Sequence, residues 1–189
     1  MRILVMQASP NEDGLTAGMA KQALSGAQAA GAETELVHLR KLKLESCRAC
    51  EDDGWGRCRQ ESLCIIEDDL EQLRSKMAAA DGMVLSTPVY FGNVAEVVKN
   101  FLDRLRRCER AGPQDPKVEG RWVLAIAAAG GGGGGGPTCL VAMEHYFAHL
   151  GLPVFDQMIV TRRSRDYMLP AAREAGERLV RHIEEQRTR

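Results

Sequence analysis

The sequence lacks an excess of charge of either sign. Its 25 Lys and Arg stand against 26 Asp and Glu, for a net charge of −1. That balance excludes binding through bulk charge, so neither nucleic acid nor an anionic membrane is an expected partner. It also argues against a carrier that docks through strong charge asymmetry. A long apolar run is missing too. The N-terminal one, within MRILVMQ, is about six residues, against the roughly 20 that span a bilayer. No signal-peptide layout is visible, so a cytoplasmic protein is expected. Internal repeats are absent, as is a disordered tail beyond the last few residues. What is present is ordinary for a soluble globular chain, with 44% hydrophobic and 27% charged residues. The length suits one domain over residues 1–189, with a cysteine-bearing insertion at about 41–66.

Strand-like and helix-like patterns alternate along the chain. Arg2–Gln7 is a continuous apolar run, as in a strand covered on both faces of a parallel sheet. A turn-rich loop, Ala8–Thr16, leads into an alanine-rich helix over Thr16–Ala30, closed by Gly31. Glu33–Leu39 reads as a second strand. Asp68 and Glu71 make a capping-box pattern at the head of a helix with Leu70, Leu73 and Met77 inward. A strand from Met83 follows. Trp122–Ala128 reads as the fourth strand and Val154–Thr161 as the last. Between them Thr138–Leu150 is helical, with Val141, His145 and Ala148 on one stripe. Pro170–Arg187 is an amphipathic helix with Leu179, Val180 and Ile183 inward. This alternation predicts right-handed crossovers and a doubly wound parallel α/β sheet. Five strands suit the flavodoxin-like order 2-1-3-4-5, with the Met83 strand central.

Ligands bind at the carboxyl edge of such a sheet. Three loops fall there. In Met83–Arg104 an apolar strand breaks at Thr87-Pro88, and Tyr90-Phe91-Gly92 follows. Asn93 suits an N-cap with Glu96 closing the box, and Val94, Val97, Val98, Phe101, Leu102 and Leu105 form the helix stripe. An apolar loop with two aromatics suits a flat ring, or it merely packs on its neighbour. Ser9–Thr16 joins a buried strand to a helix N-terminus, whose unpaired N–H groups suit phosphate. Ser9, Asn11 and Thr16 add side-chain donors there; alternatively Ser9 and Thr16 only cap the helix. Glu12 and Asp13 should then point to solvent. No Lys follows the glycine and no GxGxxG is present, which excludes a triphosphate loop and a dinucleotide fingerprint. The third loop is seven consecutive glycines, Gly130–Gly136, flanked directly by a strand and a helix, hence a tight loop rather than a linker.

SPNEDGLT after RILVMQA, with STPVYFGNVAEVVKNFLDR downstream, resembles the NADPH-dependent FMN reductase family and its iron–sulfur flavoprotein relatives. The likeness runs from Arg2 to about Val160. It implies an FMN site. Ser9, Asn11, Leu15, Thr16 and Ala17 would hold the phosphate. Pro88, Val89, Tyr90, Phe91, Gly92 and Asn93 would line the ring. Ala129, Gly130 and Gly131 would form the third contact. The implied activity is electron transfer from NAD(P)H through FMN to a quinone, flavin or other small acceptor. Hydride transfer needs no acid/base side chain, and no Ser-His-Asp or paired-carboxylate constellation is visible. Relatives form dimers or tetramers, so a homodimer or homotetramer is expected. A non-enzymatic flavodoxin-like carrier is the alternative from another class.

Six cysteines in a cytosolic chain favour metal or redox chemistry over disulfides. Cys47-x2-Cys50-x7-Cys58-x5-Cys64 places four within one aperiodic segment, with chelating spacing in the first pair. A [4Fe–4S] cluster, a structural Zn²⁺ and free thiols all remain open; with zinc, the chain could be a regulatory module. The iron–sulfur flavoproteins carry C-x2-C-x2-C and a fourth cysteine. Cys47, Cys50 and Cys64 match that pattern. Asp53 stands where the third cysteine would be, and Cys58 lies in an inserted GWGRC segment. Trp55 is either a lid over the ring or a local anchor. Cys139 sits at a helix N-terminus, where a thiol pKa can fall, or is a small packed residue. His38 reads as a satisfied strand-end histidine. Arg162, Arg163 and Arg165 form a basic run that either meets the 2′-phosphate of NADPH or is a solvated surface.

Overall fold

The computed structural model describes residues 1–188. One sheet holds five parallel strands: β1 (Arg2–Gln7), β2 (Glu33–His38), β3 (Gly82–Pro88), β4 (Trp122–Ala129) and β5 (Val154–Thr161). Their order is β2-β1-β3-β4-β5, the flavodoxin-like arrangement with β3 central. Side chains alternate across the pleat. Ile3, Val5, Val84, Leu124 and Ile126 face α1 (Leu15–Ala29) and α6 (Arg165–Arg187). Leu4, Met6, Met83 and Leu85 face α3 (Leu70–Ala79), α4 (Glu96–Arg110) and α5 (Gly136–Leu150). Burial on both faces is why these strands read as continuous apolar runs. A short α2 (Arg57–Glu61) lies within the cysteine segment.

Helices α1 and α6 meet at backbone contact. A Cβ on Gly26 would stand 1.8 Å from the Arg173 carbonyl oxygen, and one on Gly176 would stand 2.0 Å from that of Ala23. Only glycine permits that approach. The contacts advance together along both helices: Gly18 meets Leu169, and Gly26 meets Arg173. The two therefore run parallel, and both N-termini face one sheet edge.

Several element starts differ from the sequence expectation. Helix α4 begins at Glu96, with Ala95 rather than Asn93 at the N-cap. Thr87 Oγ1 accepts the Ala95 N–H at 3.0 Å, while Asn93 turns back to pair with Tyr90. The strand-end threonine thus reaches the helix head, and a side-chain box is not needed. Helix α3 begins at Leu70. Asp68 accepts the Leu70 N–H at 3.1 Å, but Glu71 reaches Arg74 at 3.2 Å instead of closing a box. β3 continues through Thr87-Pro88, because the following Val89 N–H donates to Ala128 at 2.9 Å. In α5 the stripe is reversed. Leu140, Met143, Phe147 and Leu150 are buried, whereas Val141, His145 and Ala148 are exposed. Both stripes have helical spacing, and the sheet takes the one with more apolar area. α6 starts earlier than expected, at Arg165, with Pro170 inside it.

Candidate functional site

The loops after β1, β3, β4 and β5 open on a cleft of about 740 Å³. Ser9, Asn11, Leu15, Thr16, Pro88, Val89, Tyr90 and Gly130 line it, together with Arg162 and Arg165. At its floor lies the head of α1. Gly14 is the N-cap and makes no side-chain cap bond. The first helical bond is Gly18 N–H to the Gly14 carbonyl, so the amides of Leu15, Thr16 and Ala17 have no partner in the described chain. Thr16 is only 4% exposed, yet its hydroxyl finds no partner among the described residues. Capping by Ser9 or Thr16 is therefore not what these residues do. Ser9 Oγ instead accepts the Asn11 N–H at 3.1 Å, and Asn11 Oδ1 accepts the Asp13 N–H at 3.0 Å. Glu12 and Asp13 pair with Lys41 at 2.5 Å and Lys21 at 3.4 Å. Those pairs hold Glu12 outward, although Asp13 still edges the cleft wall.

Sequence reasoning missed Gln7, the last residue of β1. Its buried amide clamps the loop: Oε1 accepts the Ser9 N–H at 2.7 Å, and Nε2 donates to the Ser9 carbonyl at 3.1 Å. Gln7 Nε2 also lies 2.9 Å from His38 Nδ1, which satisfies that histidine. A polar residue ending an apolar strand was the available signal.

The second loop is a tight turn. Tyr90 and Asn93 exchange backbone bonds of 2.9 Å each, with Phe91 (φ 51°) and Gly92 (φ 74°) between them at positive φ. That is the pattern of a type I′ turn, and it is strained for a bulky residue. Phe91 stands fully exposed at the tip. Gly92 packs against the glycine loop: a Cβ on Gly135 would lie 2.8 Å from Gly92 Cα. The seven glycines divide accordingly. Gly133 and Gly135 have positive φ, and a Cβ on Gly136 would lie 2.8 Å from Ile159 Cγ2. Gly130, Gly131, Gly132 and Gly134 would meet nothing within 4 Å. Their bareness is not required by packing, and of the four Gly130 lines the cleft. Ala17 and Ala129 are buried behind the cleft surface.

Residues 1–164 match the NADPH-dependent FMN reductase family. The chain belongs to that family. Within it, an iron–sulfur flavoprotein of Methanocaldococcus jannaschii is 35% identical over 106 residues, covering 56% of this chain and 52% of that protein. A second iron–sulfur flavoprotein of that organism is 31% identical over 149 residues, covering 78% of this chain and 71% of its own. The chain thus spans about half the length of the first of these relatives. Among solved structures, an NAD(P)H:quinone oxidoreductase from Methanothermobacter marburgensis superposes with a TM-score of 0.76 at 17% identity, covering 95% of this chain and 96% of that one. An azoreductase from Bacillus anthracis gives 0.69 at 14%, covering 96% and 99%. At those identities the two structures show the fold. No helix of the described residues is long and apolar enough to cross a membrane.

This member of the FMN reductase family has a second concavity. Cys47, Cys50, Cys58 and Cys64 all line one small cavity, joined by Cys108 of α4 and by Arg48, Arg57, Arg104 and Arg107. The six cysteines are free thiols. The room inside is about 20 Å³, the space of one water. No three His, Cys, Asp or Glu side chains stand close enough to hold a metal ion among the described residues. The donor chemistry suits a cluster or zinc; the spacing as it stands does not enclose one. Backbone strain is concentrated here, with Ala49, Glu51 and Ser62 at positive φ. Arg104 is the pivot. It is 1% exposed and donates to both Asp68 oxygens at 2.5 and 2.9 Å, to the Glu45 carbonyl at 3.0 Å and to Cys64 Sγ at 3.2 Å. Its Nε has no partner among the described residues. Burial pushes the Cys108 thiol up to about 12, so it stays protonated at neutral pH. Trp55 lies under Arg107 and Arg59, at 4.0 and 4.6 Å, and is a local anchor that does not line the cleft. Cys139 is buried and its pKa is raised to about 11 by that burial, so it is a packed residue, not an activated thiol.

Proposed function

We propose that this chain is an FMN-dependent oxidoreductase that takes electrons from NAD(P)H and passes them to a small acceptor such as a quinone or a flavin. The observation that carries the reading is the open head of α1, whose uncapped first turn, Leu15 and Thr16 included, lines the cleft walled by Pro88, Val89 and Tyr90. Free helix amides suit a phosphate, and the apolar wall suits a planar ring. When bound, FMN would supply hydride acceptance and electron release. Ser9, Asn11, Leu15, Thr16 and Ala17 would bind its phosphate. Pro88, Val89, Tyr90, Phe91, Gly92 and Asn93 would shelter the ring, and Ala129, Gly130 and Gly131 would offer backbone to its edge. The exposed Phe91 tip suits cover by a second copy in a homodimer or homotetramer, which sedimentation of wild type against Phe91→Ser tests.

The relay is the finer part of the proposal. Cys47, Cys50, Cys58 and Cys64 would ligate a [4Fe–4S] cluster after the strained 47–58 segment moves outward. Four arginines on the same cavity complement the negative charge of a thiolate-ligated cluster. The absorption spectrum of protein purified without oxygen, with iron, sulfide and zinc analysis, tests both groups together. Flavin bands that bleach on adding NADPH support the reductase. Bleaching only by a protein donor points to a carrier, and a colourless protein that fails to retain FMN sinks the proposal. One zinc without sulfide removes the relay and leaves the flavin assignment standing.

A further inference from the structure

We propose that Arg162 and Arg165, on the β5–α6 connection, grip the phosphomonoester of the flavin bound in this cleft. The inference rests on the flavin reading above and adds the cation that the phosphate loop lacks. Ser9–Thr16 holds Glu12 and Asp13 but no Lys or Arg. A phosphomonoester carries a charge of about −1.5 to −2 at neutral pH. One helix N-terminus offers roughly half a positive charge. The first loop alone therefore leaves the ligand's charge largely unbalanced, with Asp13 on the wall making matters worse.

The cations that line the cleft are Arg162 and Arg165. Neither has a carboxylate within ion-pair distance among the described residues. Lys21 and Lys41, by contrast, are engaged by Asp13 and Glu12. The parallel packing of α1 and α6 sets the position. A Cβ on Gly18 would lie 3.3 Å from Leu169 Cδ2, so the head of α6 rides beside the head of α1. Arg165, one turn before Leu169, is thereby carried to the edge where the amides of Leu15, Thr16 and Ala17 are open. The turn bearing both arginines is pinned. Thr161 N–H donates to Ser164 Oγ at 2.9 Å, Ser164 N–H donates to Thr161 Oγ1 at 3.2 Å, and Met168 N–H donates to the Ser164 carbonyl at 2.9 Å. Thr16 lines the same cleft as the two arginines. Arg163, between the two, does not line the cleft.

Titrations of wild type, Arg162→Gln/Arg165→Gln, Arg165→Lys and Arg163→Gln with FMN and with riboflavin test this. All the altered side chains are exposed, so folding is expected to survive, and circular dichroism checks it. The double variant should lose at least about tenfold in FMN affinity, since charge-assisted bonds to phosphate are the strong class. Riboflavin affinity should not change. Arg163→Gln should match wild type, and Arg165→Lys should fall between. An unchanged FMN affinity overturns the proposal. So does an equal loss for both flavins, which means a structural role. A shift in NADPH-over-NADH preference with FMN binding intact also overturns it, in favour of the 2′-phosphate of the nicotinamide donor. If wild type retains neither flavin, the flavin reading itself fails, and this proposal falls with it.

Discussion

At the scale of single residues, two buried polar groups hold the functional edges in place. Gln7 makes no contact with the cleft yet fixes Ser9 by both its N–H and its carbonyl. Gln7→Leu keeps the size but leaves both Ser9 groups unpaired, at a cost of about 1–3 kcal/mol. The expected result is a lower urea midpoint together with weaker FMN binding; intact FMN affinity in a destabilised protein would show that the clamp does not set the loop. Asp68 and Arg104 are the second case, a buried pair with side chains 2% and 1% exposed. Burial works to raise the Asp68 pKa, but hydrogen bonds from Arg104 and from the Glu45 and Leu70 amides outweigh it and hold the group below the usual carboxylate range. A folded pKa below the unfolded one means the stabilisation is complete above the unfolded value and is lost as pH falls through the folded one. Stability should therefore decline on acidification below about pH 4. Asp68→Asn should cost about 3–5 kcal/mol near neutral pH by stranding Arg104, and should flatten that acid slope. Urea unfolding across pH measures both.

At the scale of elements, the glycine loop separates fold from function. Gly135 has φ 80° and touches Gly92, so Gly135→Ala should strain the turn and lower the melting temperature. Gly131 has open space and no positive φ. Gly131→Ala should leave melting unchanged and show its effect in flavin affinity. A matching loss of melting temperature in both would mean that the run serves packing throughout. The α1–α6 seam makes a complementary case. Gly26→Ala drives a methyl into the Arg173 carbonyl, an overpacking expected to cost about 1–3 kcal/mol. Because the seam also carries Arg165 to the head of α1, FMN affinity should fall with it while riboflavin affinity falls less.

At the scale of the molecule, the cleft and the cysteine cavity share no lining residue. The two sites should be separable. Cys47→Ser/Cys64→Ser should remove bound iron while leaving FMN stoichiometry near that of wild type. Loss of FMN along with iron would mean that the cysteine segment builds the flavin site. The covalently free cysteine segment is tied to the body by Arg104, Arg107 and Arg74 rather than by regular pairing. Arg74 donates to the Ser62 carbonyl at 2.8 Å and pairs with buried Glu109, while Arg107 reaches the Gly54 carbonyl and stacks on Trp55.

Local pattern determined the sheet, because a strand covered on both faces can only be a continuous apolar run, as Arg2–Gln7 and Trp122–Ala129 are. It also determined the three loops at one edge, since right-handed β-α crossovers put every strand end with a following helix on the same side. The cysteines were legible as a group from their spacing. The capping boxes expected at Asn93 and Asp68 do not form, because Thr87, distant in sequence, takes the Ala95 N–H and Arg74 takes Glu71, while Asp68 still accepts the Leu70 N–H. The exposed and buried stripes of α5 are equally helical, and contact with β4 and β5 chooses between them. The basic run at Arg162–Arg165 has no local sign of its target. Its place over α1 depends on Gly26 and Gly176 letting two helices, far apart in the chain, close to backbone contact.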